Sequence, residues 1–275
     1  MSKIKLTGHA SGTGVLTVTA PNTSTDRVIT LPDSTGTLAT TGDITSYPIT
    51  TTATNNIGVG SGAVDSITTG DDNVGVGASS LTAVTTGSNN TAIGVNSLYT
   101  HTTGNKNTGI GRQALYNNTT SDSNTAVGYN SLFSNTTAAE NVAVGREALF
   151  ANTTGADNVA VGSAALYSAT TAVNNTAIGR SAMINTTTGS YGVAVGHNSL
   201  DAQTTGAHNT AIGRNALSAI TDHSYNTAVG SGALASTTRH LNTAVGYHAG
   251  ELVTTGDKNT LIGAYAADAL TTGAH

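Results

Sequence analysis

Residues 124–140 read Asn-Thr-Ala-Val-Gly-Tyr-Asn-Ser-Leu-Phe-Ser-Asn-Thr-Thr-Ala-Ala-Glu, and residues 158–174 read Asn-Val-Ala-Val-Gly-Ser-Ala-Ala-Leu-Tyr-Ser-Ala-Thr-Thr-Ala-Val-Asn. Both stretches are copies of a 17-residue unit that repeats from Asn56 to His275. A marker glycine aligns the copies, and only the step from Gly230 to Gly246 departs from 17 residues, by one missing residue. The marker glycines are Gly60, Gly77, Gly94, Gly111, Gly128, Gly145, Gly162, Gly179, Gly196, Gly213, Gly230, Gly246 and Gly263.

The residues around the marker glycine predict a short strand. The residue before it is always Val or Ile, and the residue two places earlier is always β-branched, as in Val142 and Val144. This period-two pattern is typical of a strand with one buried face. We therefore expect the aliphatic side chains to point inward and the small residue between them, such as Ala143, to lie on the opposite face. An Ala or Ser followed mostly by Leu, as at Leu149, predicts a second inward-facing segment.

Seventeen residues are too few for a strand, a helix and two return loops, so each unit is interpreted as one turn of a solenoid. The predicted fold is all-β, a parallel β-solenoid (β-roll) of thirteen 17-residue coils. Equivalent positions then stack in columns, with neighbouring strands about 4.8 Å apart. Asparagine heads every unit except the one that begins at Gly192, and we expect these amides to hydrogen-bond along the axis.

The thin coil predicts association with other chains. The backbone entropy lost on ordering 17 residues exceeds what two large buried aliphatic side chains return. The face formed by Ala126, Ala143 and Ala160 is uniformly small and is interpreted as a contact surface. We expect a side-by-side homotrimer about a three-fold axis.

Residues 1–55 lack the repeat. Alternating segments at Val15–Thr19 and Arg27–Leu31 predict a small β attachment domain over residues 1–40, followed by a linker over residues 41–55. The solenoid shaft is assigned to residues 56–275. The first residues contain no apolar run of signal-peptide length, so we expect the chain to be made in the cytoplasm and not exported.

Composition limits the function classes. Only 9% of residues are charged, the net charge is -5, and β-branched residues are abundant, which argues against disorder. The chain contains no cysteine, so no disulfide or thiolate metal site is expected. Few basic residues and no long apolar run also predict no nucleic-acid partner and no membrane insertion.

The stretches Asn90–Ser97 and Asn175–Ala182, Asn-Thr-Ala-Ile-Gly-x-x-Ala or Ser, resemble the head repeats of YadA-like trimeric autotransporter adhesins. In that family the repeats build a left-handed parallel β-roll, and three chains pack side by side. The resemblance implies the same arrangement for about four-fifths of this chain. The family's unit is usually shorter than 17 residues.

Residues 12–38, Gly-Thr-Gly-Val-Leu-Thr-Val-Thr-Ala-Pro-Asn-Thr-Ser-Thr-Asp-Arg-Val-Ile-Thr-Leu-Pro-Asp-Ser-Thr-Gly-Thr-Leu, resemble the amino-terminal part of phage tail fibres. The resemblance implies a structural virion fibre, the shaft of a phage tail fibre that mediates attachment to the host cell surface. Residues 1–55 would then bind a virion tail or baseplate protein, after assembly in the host cytoplasm.

Three other functions stay open. A head-decorating or collar fibre of a virion would share the rod but sit elsewhere on the particle, and a bacterial surface adhesin would share the repeats. An ice-binding solenoid is the third, because threonines recur at one position, as at Thr102, Thr119 and Thr136. Adjacent threonines point to opposite faces, however, so a flat paired array is not expected.

Two sets of residues are candidates for contact with a host surface polysaccharide. Arginine occupies one position in every second coil, which predicts a basic stripe for an anionic glycan or, alternatively, a solubilising face. Aromatic residues occupy another position in five successive coils, where they either contact sugar rings or pack within or between chains. These residues are Arg112, Arg146, Arg180 and Arg214, and Tyr99, Tyr116, Phe133, Phe150 and Tyr167.

No motif indicates catalysis, a cofactor or a metal. The histidines fall at different positions of the unit, and solvent-facing loops are expected to hold most of them. The Gly-x-Gly copies lack the rest of a dinucleotide fingerprint, and no Ser, His and Asp combination recurs. The chain is therefore predicted not to be an enzyme.

Overall fold

A computed structural model describes residues 54–268 and 270–272. This part of the chain is all-β, contains no helix, and forms a solenoid of about 12 turns. Its 13 strands pair in parallel, in sequence order, into one sheet, which confirms the predicted parallel β-solenoid. The strands are β1 (Ile57–Val59), β2 (Val74–Val76), β3 (Thr91–Ile93), β4 (Thr108–Ile110), β5 (Thr125–Val127), β6 (Val142–Val144), β7 (Val159–Val161), β8 (Thr176–Ile178), β9 (Val193–Val195), β10 (Thr210–Ile212), β11 (Thr227–Val229), β12 (Thr243–Val245) and β13 (Thr260–Ile262).

The predicted attachment domain, residues 1–40, lies outside the described residues. So does the predicted linker, residues 41–55, except for its last two residues. The shaft assigned to residues 56–275 is described apart from residue 269 and residues 273–275.

Each coil sits on the next in strict register. Val142 pairs with Val159, and Val144 pairs with Val161, so equivalent positions of consecutive units are neighbours. The opposite wall is also bonded between coils, although it contains no strands. The amide of Leu149 donates to the carbonyl of Ala165 at 3.0 Å, and that of Thr153 donates to the carbonyl of Thr170 at 2.9 Å. The backbone is therefore bonded between coils on both walls.

The prediction of which strand face is buried was wrong. The central small residue, such as Ala143, is 0% exposed, whereas the aliphatic residues on either side of it are only partly buried. The reason is the narrow interior, which leucines of the opposite wall fill. A Cβ built on Gly109, which takes the alanine position in β4, would lie only 2.6 Å from Ser97 Oγ and 3.4 Å from Leu98 Cγ. Only a small side chain fits there, so the larger β-branched residues face outward.

The marker glycine is required for two independent reasons. At Gly145 φ is +136°, a backbone conformation that side chains of L-residues rarely adopt. A Cβ at this site would also lie 2.5 Å from the carbonyl oxygen of Gly162 in the next coil. Because the marker glycines from Gly60 to Gly246 all have the same close approach to the next coil, glycine recurs at the unit period.

Three other positions of the unit turn corners in the left-handed region, in most coils without glycine. In one coil they are Glu140, Glu147 and Leu149, with φ of 59°, 58° and 51°. Each such residue costs on the order of 1–2 kcal/mol. The leucines accept this conformation because it directs a fully buried side chain into the core, where Leu149 is 0% exposed.

The heading asparagines form the predicted ladder. Asn141 Oδ1 accepts two hydrogen bonds from Asn158, one from its backbone N–H at 3.0 Å and one from its side-chain Nδ2 at 3.1 Å. Its own Nδ2 donates to Asn124 Oδ1 at 3.3 Å and to the carbonyl of Gly155 at 3.0 Å. One amide thus bonds the coils on both sides as well as the far end of its own coil, which confirms the prediction.

The ladder is interrupted at Gly192, and neighbouring residues compensate for the missing amide. The backbone N–H of Gly192 still donates to Asn175 Oδ1 at 2.8 Å. A Cβ at this position would lie 2.6 Å from Met183 Cε, because methionine replaces the usual leucine and reaches into the space. In the next coil Asn209 Nδ2 donates instead to Gln203 Oε1 at 2.8 Å. These three departures from the consensus therefore form one local repair.

The inverted strand can be tested by substitution on its two faces. We expect Ala143→Leu to lower the free energy of unfolding by about 1–3 kcal/mol, because the added atoms overfill a closed interior. Val144→Leu, one residue away on the outer face, should lower it by less than Ala143→Leu does, because that position is not enclosed by its own chain. Urea unfolding followed by circular dichroism measures both, and the opposite ranking would place the valine column inside.

Candidate functional site

The outer face of the sheet is the largest candidate site. Two columns of side chains point outward along it, the first and third residues of each strand. The third residue is always Val or Ile, and several of these are well exposed for their type: Ile93, Ile178 and Ile212 are each 40% exposed. Seven of these thirteen residues are exposed and the other six are partly buried, so an apolar column that is at least partly exposed runs along the sheet, which is typical of a protein contact surface.

Two further columns border this face. The leading column consists of the residues two places before each strand, and the trailing column of the residues two places after each strand. All of the leading residues and nearly all of the trailing residues are exposed. The leading column contains Asn55, Asp72, Asn89, Lys106, Ser123, Glu140, Asp157, Asn174, Tyr191, His208, Tyr225, Leu241 and Lys258. The trailing column contains Ser61, Ala78, Val95, Arg112, Tyr129, Arg146, Ser163, Arg180, His197, Arg214, Ser231, Tyr247 and Ala264.

The four candidate arginines lie in the trailing column and are exposed, as predicted for a stripe. The guanidinium carbon of Arg112 lies 5.8 Å from the ring centroid of Tyr129, the next trailing residue. Arg146 pairs with Glu147 at 2.9 Å. Among the described residues, Arg180 and Arg214 form no ion pair. Both guanidinium groups are therefore available to an external partner.

The five candidate aromatic residues stack on one another along the axis. Successive rings are 5.0–5.3 Å apart between centroids, and their planes differ by 5–11°. Each inner ring therefore has a neighbour against both faces. The inner rings leave no face for flat stacking on a sugar ring, and the half-buried edges of the rings form the surface of the column. The alternative of packing within the chain is the one that these contacts favour.

A second ring stack was missed by the sequence reasoning. Tyr191, His208 and Tyr225 lie in the leading column, with centroids 4.9 and 5.1 Å apart and planes within 3°. The two tyrosines are 52% and 59% exposed. The 17-residue spacing of these three residues is the signal that would have identified them.

His101 departs from the expectation that the histidines lie in solvent-facing loops. It is fully buried at the end of an inner polar column, made up of His101, Asn118, Asn135 and Asn152. Its Nε2 lies 2.8 Å from the carbonyl oxygen of Gly104, and its Nδ1 lies 3.0 Å from Asn118 Nδ2. The carbonyl requires a proton on Nε2, so Nδ1 is the acceptor and the ring is neutral. Burial lowers the pKa of His101, and the charge of Asp122 opposes this only in part.

The threonine column of the ice-binding alternative is already hydrogen-bonded. Thr102 Oγ1 donates to the carbonyl of Thr119 at 3.1 Å, and Thr119 Oγ1 donates to that of Thr136 at 3.1 Å. These hydroxyls tie coil to coil and are half-buried. Nothing in this arrangement favours a flat water-ordering array.

The described residues contain no group of three or more His, Cys, Asp or Glu side chains that could hold a metal ion. The same part of the chain contains no helix that is long and apolar enough to cross a membrane.

Acid should weaken the solenoid through His101. Below the ordinary histidine pKa of 6.5 the unfolded chain binds a proton that the folded chain excludes, so stability should fall as the pH drops through this range. We expect His101→Asn, which continues the asparagine column, to reduce this pH dependence in urea unfolding measured between pH 7.5 and 5. His197→Asn, at an exposed position, is the matched control for removal of a histidine. An unchanged slope in His101→Asn would contradict the assignment.

No protein-family model matches the chain, and no curated protein matches it with significance.

Proposed function

We propose that this chain is a non-enzymatic structural virion fibre, the shaft of a phage tail fibre that assembles as a homotrimer and mediates attachment to the host cell surface. The observation that carries the proposal is the continuous apolar column on the outer face of the sheet. It supports assembly, because a sheet face of this kind is normally covered in the functional state. The alanine face first assigned to the contact is interior, so the contact surface is the opposite one.

A second copy of the same chain is the partner that fits this face best. The side chains repeat with the period of the solenoid, so a copy aligned along the same axis presents an identical repeat at every height. Twelve steps of about 4.8 Å along the axis, multiplied by the length of about 10 Å of a three-residue strand, give a sheet face of roughly 600 Å². In a three-fold ring this face is divided between two neighbours, so each contact takes roughly 300 Å² of it and depends on the bordering columns for the rest of a stable interface.

The slender shape of each unit supports a fibre role. The solenoid described here extends by about 4.8 Å per coil and is on the order of 60 Å long. Its coils are nearly identical, its polar groups are bonded to the next coil, and its surface carries few charges. A rod of this kind can separate the protein segments at its two ends, which is the role of a fibre shaft. The resemblance of residues 12–38 to tail fibres makes residues 1–55 the proposed link to a virion tail or baseplate protein.

Contact of the arginine column with an anionic host polysaccharide is the alternative use of Arg180 and Arg214, which are exposed and have no ion pair within the described residues, and it excludes their burial between chains. The head-decorating or collar fibre and the bacterial adhesin remain alternatives that share the same shaft. An ice-binding role has the least support, because the threonine hydroxyls of one column are bonded within the protein.

Mass measurement tests the assembly. We expect native mass spectrometry to give about three times the 27.3 kDa of one chain. Val144→Asp together with Ile178→Asp should shift the mass to that of a monomer, because each interface would bury unpaired carboxylates. Thr154→Asp together with Thr188→Asp, at exposed positions outside the sheet, is the matched control and should keep the trimer. A monomeric wild-type chain would refute the trimer.

Location tests the fibre role. An antibody raised against residues 12–38 should label the tail of purified particles in electron microscopy. Labelling of the head or collar would favour the decorating fibre, and labelling of bacterial cells without particles would favour the adhesin. Either of these results would refute the tail-fibre assignment.

A further inference from the structure

We infer that the leading column of one chain locks onto the trailing column of the next chain, through charge pairs and arginine–ring contacts. This inference rests on the homotrimer of the proposed function. It gives the arginines a partner that the sequence did not indicate, namely a second copy of this chain.

Symmetry determines which columns meet. In a ring of identical chains with parallel axes, each contact joins two different patches of the chain. One edge of each interface therefore comes from one chain and the other edge from its neighbour. The leading and trailing columns border the two opposite edges of the same face. Rotation about an axis parallel to the solenoid also keeps every copy at the same height. Residues that flank the same strand number are therefore opposed across the interface.

The two columns carry opposite charges at one height, that of β6. Glu140 precedes β6 by two residues, and Arg146 follows β6 by two residues. Within one chain they lie six residues apart on opposite edges, roughly 20 Å along extended backbone, so they cannot pair with each other. Between chains they would be opposed. Arg146 already pairs there with Glu147 of its own chain at 2.9 Å, so the contact with Glu140 of a neighbour would be a second one on the same guanidinium group. Asp157, which precedes β7, stands at a height between Arg146 and Arg180, about 4.8 Å from each.

From β9 onward, the leading column carries exposed aromatic rings in place of the carboxylates of Glu140 and Asp157. Tyr191 precedes β9 and stacks on His208 with one face, so its other face is directed toward the height of β8. Arg180 follows β8 and has no ion pair in the described chain. A guanidinium group over the face of a tyrosine ring is a favourable cation–π contact. At β12 the pair is apolar, with Leu241 before the strand and Tyr247 after it, and both are exposed.

Two heights are not complementary: Lys106 and Arg112 would be opposed at β4, and His208 and Arg214 at β10. Arg112, however, lies over the ring of Tyr129, at the height of β5. Its charge is thereby drawn toward the next coil, which carries an uncharged serine, Ser123, in the leading column. The charge pairing between the two columns therefore begins at β6, with Glu140 and Arg146.

Cross-linking tests the contact between the two columns. The chain contains no cysteine, so the introduced thiols are the only ones that can react. The full chain would carry Glu140→Cys and Arg146→Cys and would be treated, as the assembled protein, with a short bis-maleimide. We expect covalent trimers on a denaturing gel. The control carries Glu140→Cys and Arg214→Cys, which lie four coils apart, about 19 Å in height. It should cross-link at least about tenfold more slowly, because the reagent cannot span the sites.

The outcomes separate the lock from the trimer. A protein that is trimeric by native mass spectrometry but cross-links equally slowly in both variants would refute the lock alone, and would leave the arginines free for an anionic glycan. A monomeric wild-type chain would refute the proposed assembly and the lock together. Circular dichroism of each variant, unchanged from the wild type, shows that the comparison is made on folded protein.

Discussion

The whole solenoid depends on the carboxamide of the heading asparagine. In a coil such as the one that begins at Asn141, this group bonds the coil below, the coil above and the far end of its own turn. It therefore sets both the diameter of the coil and its register on its neighbours. Left without partners, the buried amide and carbonyl groups that it satisfies would each cost about 1–3 kcal/mol. The repair around Gly192 shows the same constraint, because Met183 and Gln203 adjust where the asparagine is missing.

The closeness of the two walls explains the outer surface. Leucines from one wall and alanines from the other fill the interior, so no space remains for the β-branched residues of the strand. Those residues have to face outward, where they form an apolar column. A fold that is thin in this way cannot bury its own sheet face, which in the proposed assembly is covered by other copies of the chain. The proposed assembly is thus a consequence of the narrow core and does not require a dedicated interface motif.

Much of the fold could be predicted from the sequence, since a 17-residue period determines the number of coils, the strand positions and the asparagine ladder. The orientation of the strand could not be predicted, because alternation distinguishes two faces without indicating which is inside. The available volume decides that, and it depends on Leu98 and its equivalents across the coil. The same limit applies to the site: the arginine column followed from spacing, whereas the burial of His101 depends on the groups that surround it. The stack of Tyr191, His208 and Tyr225 was detectable and was overlooked because its members differ in type.

The coil between Gly230 and Gly246 is one residue short, yet Thr227 still pairs with Thr243 and Val229 with Val245. The missing residue is taken from the loop that follows Thr237, so the pairing of the strands is unchanged. A change of whole units should disturb the stack even less than this single deletion does. In-frame duplication or loss of one unit in the gene would therefore lengthen or shorten the protein by about 4.8 Å and create no new kind of contact. Length is consequently a trait that such a lineage can adjust in small, structurally neutral steps.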